Sequence, residues 1–283
     1  MFWLLPISAG LCSVAGAVYT LQTKALFLPK YANTDPDDHN PSLFGIPYQE
    51  EWVPSTHGVL LNAWFLKSQL NEPSPVICFF HGNAGNIATR CQNICHLYRL
   101  FGGKINIFIA DYRGYGKSNG NPSELGLYDD GIACIDWLKK HDKVDSSQIF
   151  VFGRSLGGAV AIKTCRERPV AGLVVENTFS SVSELLPAIL PGNSAKYIPT
   201  MFVRCNFPSI KYVPDLTLPF LVISGDSDEL IPPEHSERLY AEATKSTMKQ
   251  FVSIKDGSHN ETWLRGGEVY DSAFKLFVYN CLS

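Results

Sequence analysis

The sequence predicts an α/β domain whose central sheet is mostly parallel and covered by helices on both faces. Three observations predict it: short, continuously apolar runs of strand length recur, helix-compatible segments separate them, and most runs end in glycine-rich or polar loops. Strands that are apolar on successive residues are buried on both faces, as in parallel sheets.

The 283 residues are 45% apolar and 18% charged, enough for one domain with a sizeable core. Net charge is −3 and the Lys and Arg residues are dispersed, so no nucleic-acid partner is expected. Eight cysteines fall largely within apolar patterns, which reads as buried, reduced thiols rather than a disulfide framework. Cys91 and Cys95, followed by His96, have helical i, i+4 spacing. No second ligand pair follows, so they are read as helix-face or core cysteines rather than a metal site.

Met1 to Thr23 carries no charged side chain and is mostly apolar, just long enough for a spanning helix of about 20 residues. Ala15-Gly16-Ala17 resembles a signal-peptidase site, but no basic segment precedes the apolar stretch, so residues 1–23 are read as an uncleaved membrane anchor. Lys24 and Lys30 flank its C-terminal side and place the domain in the cytosol. Asn260-Glu261-Thr262, the one glycosylation signal free of proline, abuts the candidate catalytic histidine, where a glycan would be intolerable, and so agrees. Residues 24–45, rich in Asp, Asn and Pro towards their end, read as a linker, and 46–283 as the domain.

Within the domain, Glu50–Pro54 and Val59–Leu66 read as an antiparallel edge hairpin. Pro75–Phe80 is a buried strand ending in His81-Gly82-Asn83-Ala84-Gly85-Asn86, followed by a helix to about Phe101. Ile105–Ala110 is the next strand, and Leu125–Lys140 has helical apolar spacing at Leu127, Ile132, Ile135 and Leu138. Ile149–Phe152 is a strand that stops at Gly153-Arg154-Ser155-Leu156-Gly157 and gives way to a helix reaching about Glu167. Ala171–Val175 follows. The stretch 180–218, with five prolines and apolar clusters, breaks the rhythm and reads as a lid over the sheet's C-terminal edge, its apolar residues lining an acyl groove or filling core. Phe220–Ser224, a helix to about Thr244, Gln250–Ile254 and a closing helix Val269–Tyr279 complete the domain.

The chemistry is read from the strand ends. A serine between two glycines, at a sharp strand-to-helix turn, is presented as a nucleophile, and the helix N-terminus behind it favours developing negative charge. Asp228 and His259 also follow strands, so all three share one sheet edge, where ligands of open parallel sheets bind. An imidazole titrating near neutrality suits proton transfer to and from Ser155. The other six histidines fall in linker, turn or helix positions or, for His81, in a loop it is read as shaping. Asp228 is the chosen acid; Asp226, which could cap a turn, and Glu176, which could bond loop amides, are the alternatives. The oxyanion hole needs two backbone N–H groups, assigned to Leu156 and Asn83.

These residues lie in the segments FFHGNAGNI, DYRGYGKSNG, FGRSLGGAVAI, VENTFSSV, SGDSDELIPP and GSHNETW, which span Phe79 to Trp263. They resemble the α/β-hydrolase superfamily and, within it, the bud-emergence-type (Bem-like) membrane-anchored branch, to which an N-terminal anchor also belongs. The resemblance implies an α/β-hydrolase fold with a short lid, and a serine hydrolase with Ser155, Asp228 and His259 as its triad. Asp228 aligns with the family acid through the following Leu-Ile-Pro-Pro, while the charge at Asp226 departs from the pattern. The branch is similar to enzymes assigned as palmitoyl-protein thioesterases. The expected activity is therefore hydrolysis of carboxylic esters or thioesters through an acyl-enzyme, without metal or cofactor, on acylated proteins, lipids or small esters. A peptidase of small peptides and a catalytically silent membrane scaffold in cell polarity are the rival readings.

Overall fold

Each apolar run pairs with its neighbours in the computed structural model, which describes residues 22–30, 34–189 and 203–283. The strands are β1 (Gln49–Pro54), β2 (Leu60–Leu66), β3 (Ser74–Phe80), β4 (Asn106–Ala110), β5 (Val144–Arg154), β6 (Gly172–Glu176), β7 (Phe220–Gly225) and β8 (Lys249–Ile254). Among the described residues they form one eight-stranded sheet in the order β1-β2-β4-β3-β5-β6-β7-β8. The pairs β1–β2 and β2–β4 are antiparallel and all others parallel, so the expected hairpin occupies one edge.

The helices are α1 (Cys91–Leu100), α2 (Glu124–Leu138), α3 (Leu156–Glu167), α4 (Val182–Ile189), α5 (Ser209–Tyr212), α6 (Pro233–Glu242) and α7 (Thr262–Leu282). Strand alternation sends Val76, Cys78 and Phe80 of β3 into one core, with Leu127, Ile135 and Val160 of α2 and α3. Ile77 and Phe79 enter the other core, with Ile94 of α1 and Tyr270 and Phe274 of α7. Burying both faces of the sheet explains why β3 reads as a continuous apolar run.

Local signals set the helix ends. The Ser123 hydroxyl accepts from the Gly126 N–H at 3.1 Å and starts α2, and Asn86 caps a short 3-10 turn ahead of α1. Helix α7 starts earlier than its periodicity suggests, because Gly267 (φ 44°, ψ −124°) kinks it just before Val269.

In the stretch read as a lid, residues 190–202 lie outside the described residues. Its far side reaches the core: Phe207 is fully buried and meets Phe27 and Tyr128 edge-on, at 6.2 and 5.4 Å between ring centroids. The anchor read over 1–23 also lies outside the described residues, except for Gln22 and Thr23. No helix of the described residues is long and apolar enough to cross a membrane. In the following stretch, residues 22–26 are helical, Phe27 is 3% exposed, and Leu28 bridges to Ala84 in the loop after β3.

Candidate active site

Strand β5 hands over to α3 at Ser155, which adopts φ 55°, ψ −122°, a conformation costing a non-glycine residue about 1–3 kcal/mol. The turn holds because its flanks lack side chains. A Cβ on Gly157 would sit 1.9 Å from the Phe80 carbonyl oxygen, and one on Gly153 would sit 2.3 Å from that of Gly157. The Ser155 N–H donates to the Glu176 carbonyl at 3.0 Å, and the Thr178 hydroxyl donates to the Ser155 carbonyl at 2.7 Å. The serine is thereby pinned to the end of β6.

His259 and Asp228 reach the same point from the loops after β8 and β7. His259 Nε2 lies 3.1 Å from Ser155 Oγ, and its Nδ1 lies 2.8 Å from Asp228 Oδ2. Asp228 is itself held, since its Oδ1 accepts the N–H groups of Leu230 at 2.9 Å and Ile231 at 2.8 Å. All three residues are at least nine-tenths buried. With Nδ1–H donated to the carboxylate, Nε2 is left as the base that faces the serine.

The two alternative acids lie elsewhere. Asp226 is exposed and accepts from the Asp256 N–H at 2.7 Å and the Ser227 hydroxyl at 2.9 Å, as a turn cap does. Glu176 is fully buried; rather than loop amides it meets the Tyr270 hydroxyl at 2.8 Å and Arg154 Nε at 3.5 Å. Burial raises its pKa, against the pull of Arg154 and Tyr270.

Leu156 and Asn83, the expected oxyanion donors, stand on the two loops that meet at Ser155. Neither backbone N–H is spent on a hydrogen bond within the described residues. The Asn83 carbonyl, in contrast, accepts from the Leu28 N–H at 2.9 Å and the Tyr115 hydroxyl at 3.0 Å, and the Asn83 side chain donates to the Leu26 carbonyl at 3.1 Å. The loop is fixed through its carbonyl and side chain, and its N–H remains unspent. His81 also shapes the loop, with Nδ1 2.7 Å from the Gly82 carbonyl oxygen, while its own carbonyl accepts from the Tyr112 hydroxyl at 2.9 Å. Burial pushes the His81 pKa down to about 3 and that of Asp111, 3.6 Å away, up to about 8.

Two positioning residues have no sequence signal of their own. Asn177 (φ 46°) donates to the His259 carbonyl at 3.2 Å and to Thr262 Oγ1 at 2.8 Å, and accepts from the Gly225 N–H at 2.8 Å, tying β6, β7 and the histidine loop together. Arg154 Nη2 donates to the same His259 carbonyl at 3.1 Å and to Asn260 Oδ1 at 3.2 Å.

A family model described as "Serine aminopeptidase, S33" matches residues 71–213. Over 242 residues the chain is 38% identical to the α/β-hydrolase domain-containing protein WAV2 of Arabidopsis thaliana, covering 81% of this chain and 78% of that one. It is 33% identical over 231 residues to protein bem46 of Schizosaccharomyces pombe, covering 80% of this chain and 76% of that one. A Saccharomyces cerevisiae relative, 34% identical over 233 residues and covering 80% and 78% of the two chains, is described as an uncharacterized membrane protein. Among solved structures, a Pyrococcus furiosus esterase superposes with a TM-score of 0.70 at 19% identity, over 89% of this chain and 95% of that one, a likeness of fold. The matched family model, the sheet order and the share of sequence held in common with WAV2 and bem46 lead to one assignment: this chain belongs to the α/β-hydrolase family of which those two proteins are members.

Proposed function

We propose that the chain is a serine hydrolase that cleaves carboxylic esters or thioesters through an acyl-serine intermediate. One observation carries the reading: an unbroken relay from Ser155 Oγ to His259 Nε2 at 3.1 Å and from His259 Nδ1 to Asp228 Oδ2 at 2.8 Å, beside two unspent backbone N–H groups. Ser155 Oγ attacks the acyl carbon as its proton passes to His259 Nε2. The Leu156 and Asn83 N–H groups hold the resulting oxyanion, a contribution of about 3–4 kcal/mol for each donor. Collapse expels the alcohol or thiol, which takes the proton from His259. Water, deprotonated by the same nitrogen, then attacks the acyl-serine and releases the acid and free Ser155. Asp228 keeps the imidazole in the tautomer this needs and stabilises its charged form.

A membrane-held enzyme acting on long-chain acyl groups of proteins or lipids, as a palmitoyl-protein thioesterase does, is the finer reading. The apolar stretch 1–23 and the yeast relative's description as a membrane protein support it. In that arrangement residues 1–23 anchor the chain and the domain lies on the cytosolic side. A peptidase of small peptides is the second reading, favoured by the matched family's description as a serine aminopeptidase.

The test is labelling of the full-length protein by a fluorophosphonate, followed by turnover of matched acyl thioesters, oxyesters and peptide amides. Labelling at Ser155 and Ser155-dependent acyl turnover that rises with chain length are expected. Selective amide cleavage would move the assignment to the peptidase, and an unlabelled, inert protein would leave a scaffold.

A further inference from the structure

An open pocket of about 540 Å³ lies at the N-terminal end of α1, beside the triad. Its walls include Arg90, Asn93, Arg154, Asn260 and Trp263. Asn260 follows His259, Arg154 precedes Ser155, and Gly82 separates Arg90 from the nucleophile. A Cβ on Gly82 would touch both, at 3.5 Å from Ser155 Cβ and 3.7 Å from Arg90 Nη2. The pocket therefore adjoins the nucleophile and histidine loops, with Arg90 across Gly82 from Ser155 and with the chain neighbours of Ser155 and His259 among its walls.

Its polar lining is incompletely satisfied. Asn93 is 3% exposed, yet neither Oδ1 nor Nδ2 has a hydrogen-bond partner in the protein. Arg90 spends Nη2 on the Ala84 carbonyl at 2.8 Å, while its buried Nε has no partner. Buried groups of this kind are normally paired, so each points to something that binds there. The charges agree. Arg154 has a carboxylate at 3.5 Å in Glu176, whereas no described carboxylate lies within ion-pair distance of Arg90. Burial and the neighbouring Arg154 lower the Arg90 pKa to about 10, against the weaker pull of Tyr112, Asp111 and Glu176, which leaves it charged at neutral pH without an ion-pair partner. Asp111, the nearby acid, is pushed up to about 8 and offsets little of that charge.

We propose that this pocket binds a phosphate ester carried on the leaving alcohol of the substrate, so that the preferred substrates are acyl esters of phosphorylated alcohols. A guanidinium and a carboxamide donor match the phosphate oxygens. Asn93 Nδ2 can donate to a phosphate oxygen, while its Oδ1 can accept a free hydroxyl of the phosphorylated alcohol. The substrate class rests on the hydrolase reading above, but occupancy of the pocket does not require turnover.

Two measurements separate them. In the first, glycerol 3-phosphate, inorganic phosphate and glycerol are titrated calorimetrically into the full-length Ser155→Ala protein in detergent. Glycerol 3-phosphate is expected to bind and glycerol not, with Arg90→Gln and Asn93→Leu each weakening binding about tenfold, the loss of a charge-assisted or buried hydrogen bond. In the second, kcat/KM is compared for a 1-acylglycerol and its 3-phosphate with the same acyl chain. The phosphorylated substrate is expected to be favoured about tenfold through KM, with the ratio falling towards one in both variants. Absence of glycerol 3-phosphate binding, or a ratio near one in the unaltered protein, overturns the proposal. Tight inorganic phosphate binding without substrate preference also overturns it, in favour of a free-phosphate effector site. If the phosphate ligands bind while neither ester is turned over and the fluorophosphonate leaves Ser155 unlabelled, the hydrolase reading fails while the site stands; if Ser155 is labelled and neither ester is turned over, the substrate class proposed here is overturned.

Discussion

Leu28 donates its backbone N–H to the Asn83 carbonyl at 2.9 Å, and the Leu28 carbonyl takes the Gly85 N–H in return at 3.1 Å. The chain just after the apolar N-terminal stretch is thereby stitched to the loop whose Asn83 N–H is the proposed oxyanion donor. Removing residues 1–21 leaves this stitch intact, whereas removing residues 1–30 takes it away. The shorter deletion is expected to keep kcat on a water-soluble ester, and the longer one to lower it about tenfold or more, as an oxyanion donor drifts off its geometry. Equal kcat for the two would show that the loop holds itself.

The relay through Asp228 makes a second prediction. In Asp228→Asn the remaining carbonyl oxygen can still accept the Leu230 and Ile231 N–H groups, so the loop keeps its shape while the imidazole loses its charged partner. A kcat loss of about 10⁴-fold with an unchanged melting temperature is expected. A loss of less than tenfold would reassign the acid to one of the alternatives.

Crowding at the elbow sets up a contrast between two glycines. Gly157→Ala drives a Cβ to 1.9 Å from a backbone carbonyl that cannot give way, and a destabilisation of about 3 kcal/mol or more is expected. Gly102 also has a left-handed φ, +60°, but nothing lies within 4 Å of its would-be Cβ. Gly102→Ala should cost only about 1–2 kcal/mol of backbone strain. Urea unfolding of the two variants measures both, and similar losses would refute the crowding argument.

His81 and Asp111 give stability a dependence on pH. The His81 pKa is about 3 against an ordinary 6.5, so over that interval the unfolded chain binds a proton that the folded chain refuses, and stability rises with pH. The Asp111 pKa is about 8 against an ordinary 3.8, so there the folded chain holds the extra proton and stability falls with pH. The two oppose each other from about pH 3.8 to 6.5, and from there to about 8 only Asp111 of the pair acts. In Asp111→Asn, which imitates the protonated carboxyl, the decline over that upper window should flatten by up to about 1.4 kcal/mol per pH unit. Parallel urea midpoints in the two proteins from pH 6.5 to 8 would exclude this role.

Strand ends and the three side chains at them were legible because each leaves a local mark. PVICFF is apolar on every residue, since Val76 and Ile77 face opposite cores, and Ser155 is flanked by the glycines its turn requires. Glu176 shows the limit: it ends a strand as a catalytic acid could, but its partners, Tyr270 and Arg154, belong to α7 and β5. Asn177, Arg90 and Leu28 act through partners far along the chain or through backbone groups, which no periodicity or spacing encodes. The early start of α7 was likewise hidden, because a glycine kink interrupts its apolar pattern.

The hydrogen bond between Ser155 and His259 joins residues 104 apart in sequence, with β6, β7 and β8 threaded between them. It can close only after the last strand has taken its place at the sheet edge, a long-range pairing of the kind that forms late. A chain emerging from the ribosome, or one clipped within its final segment, therefore carries a serine with no base beside it. Under the proposed function, reactivity toward esters would arrive only with the completed sheet, which would shield the half-made chain from acylation and make reactive-probe labelling of Ser155 a stopwatch for folding.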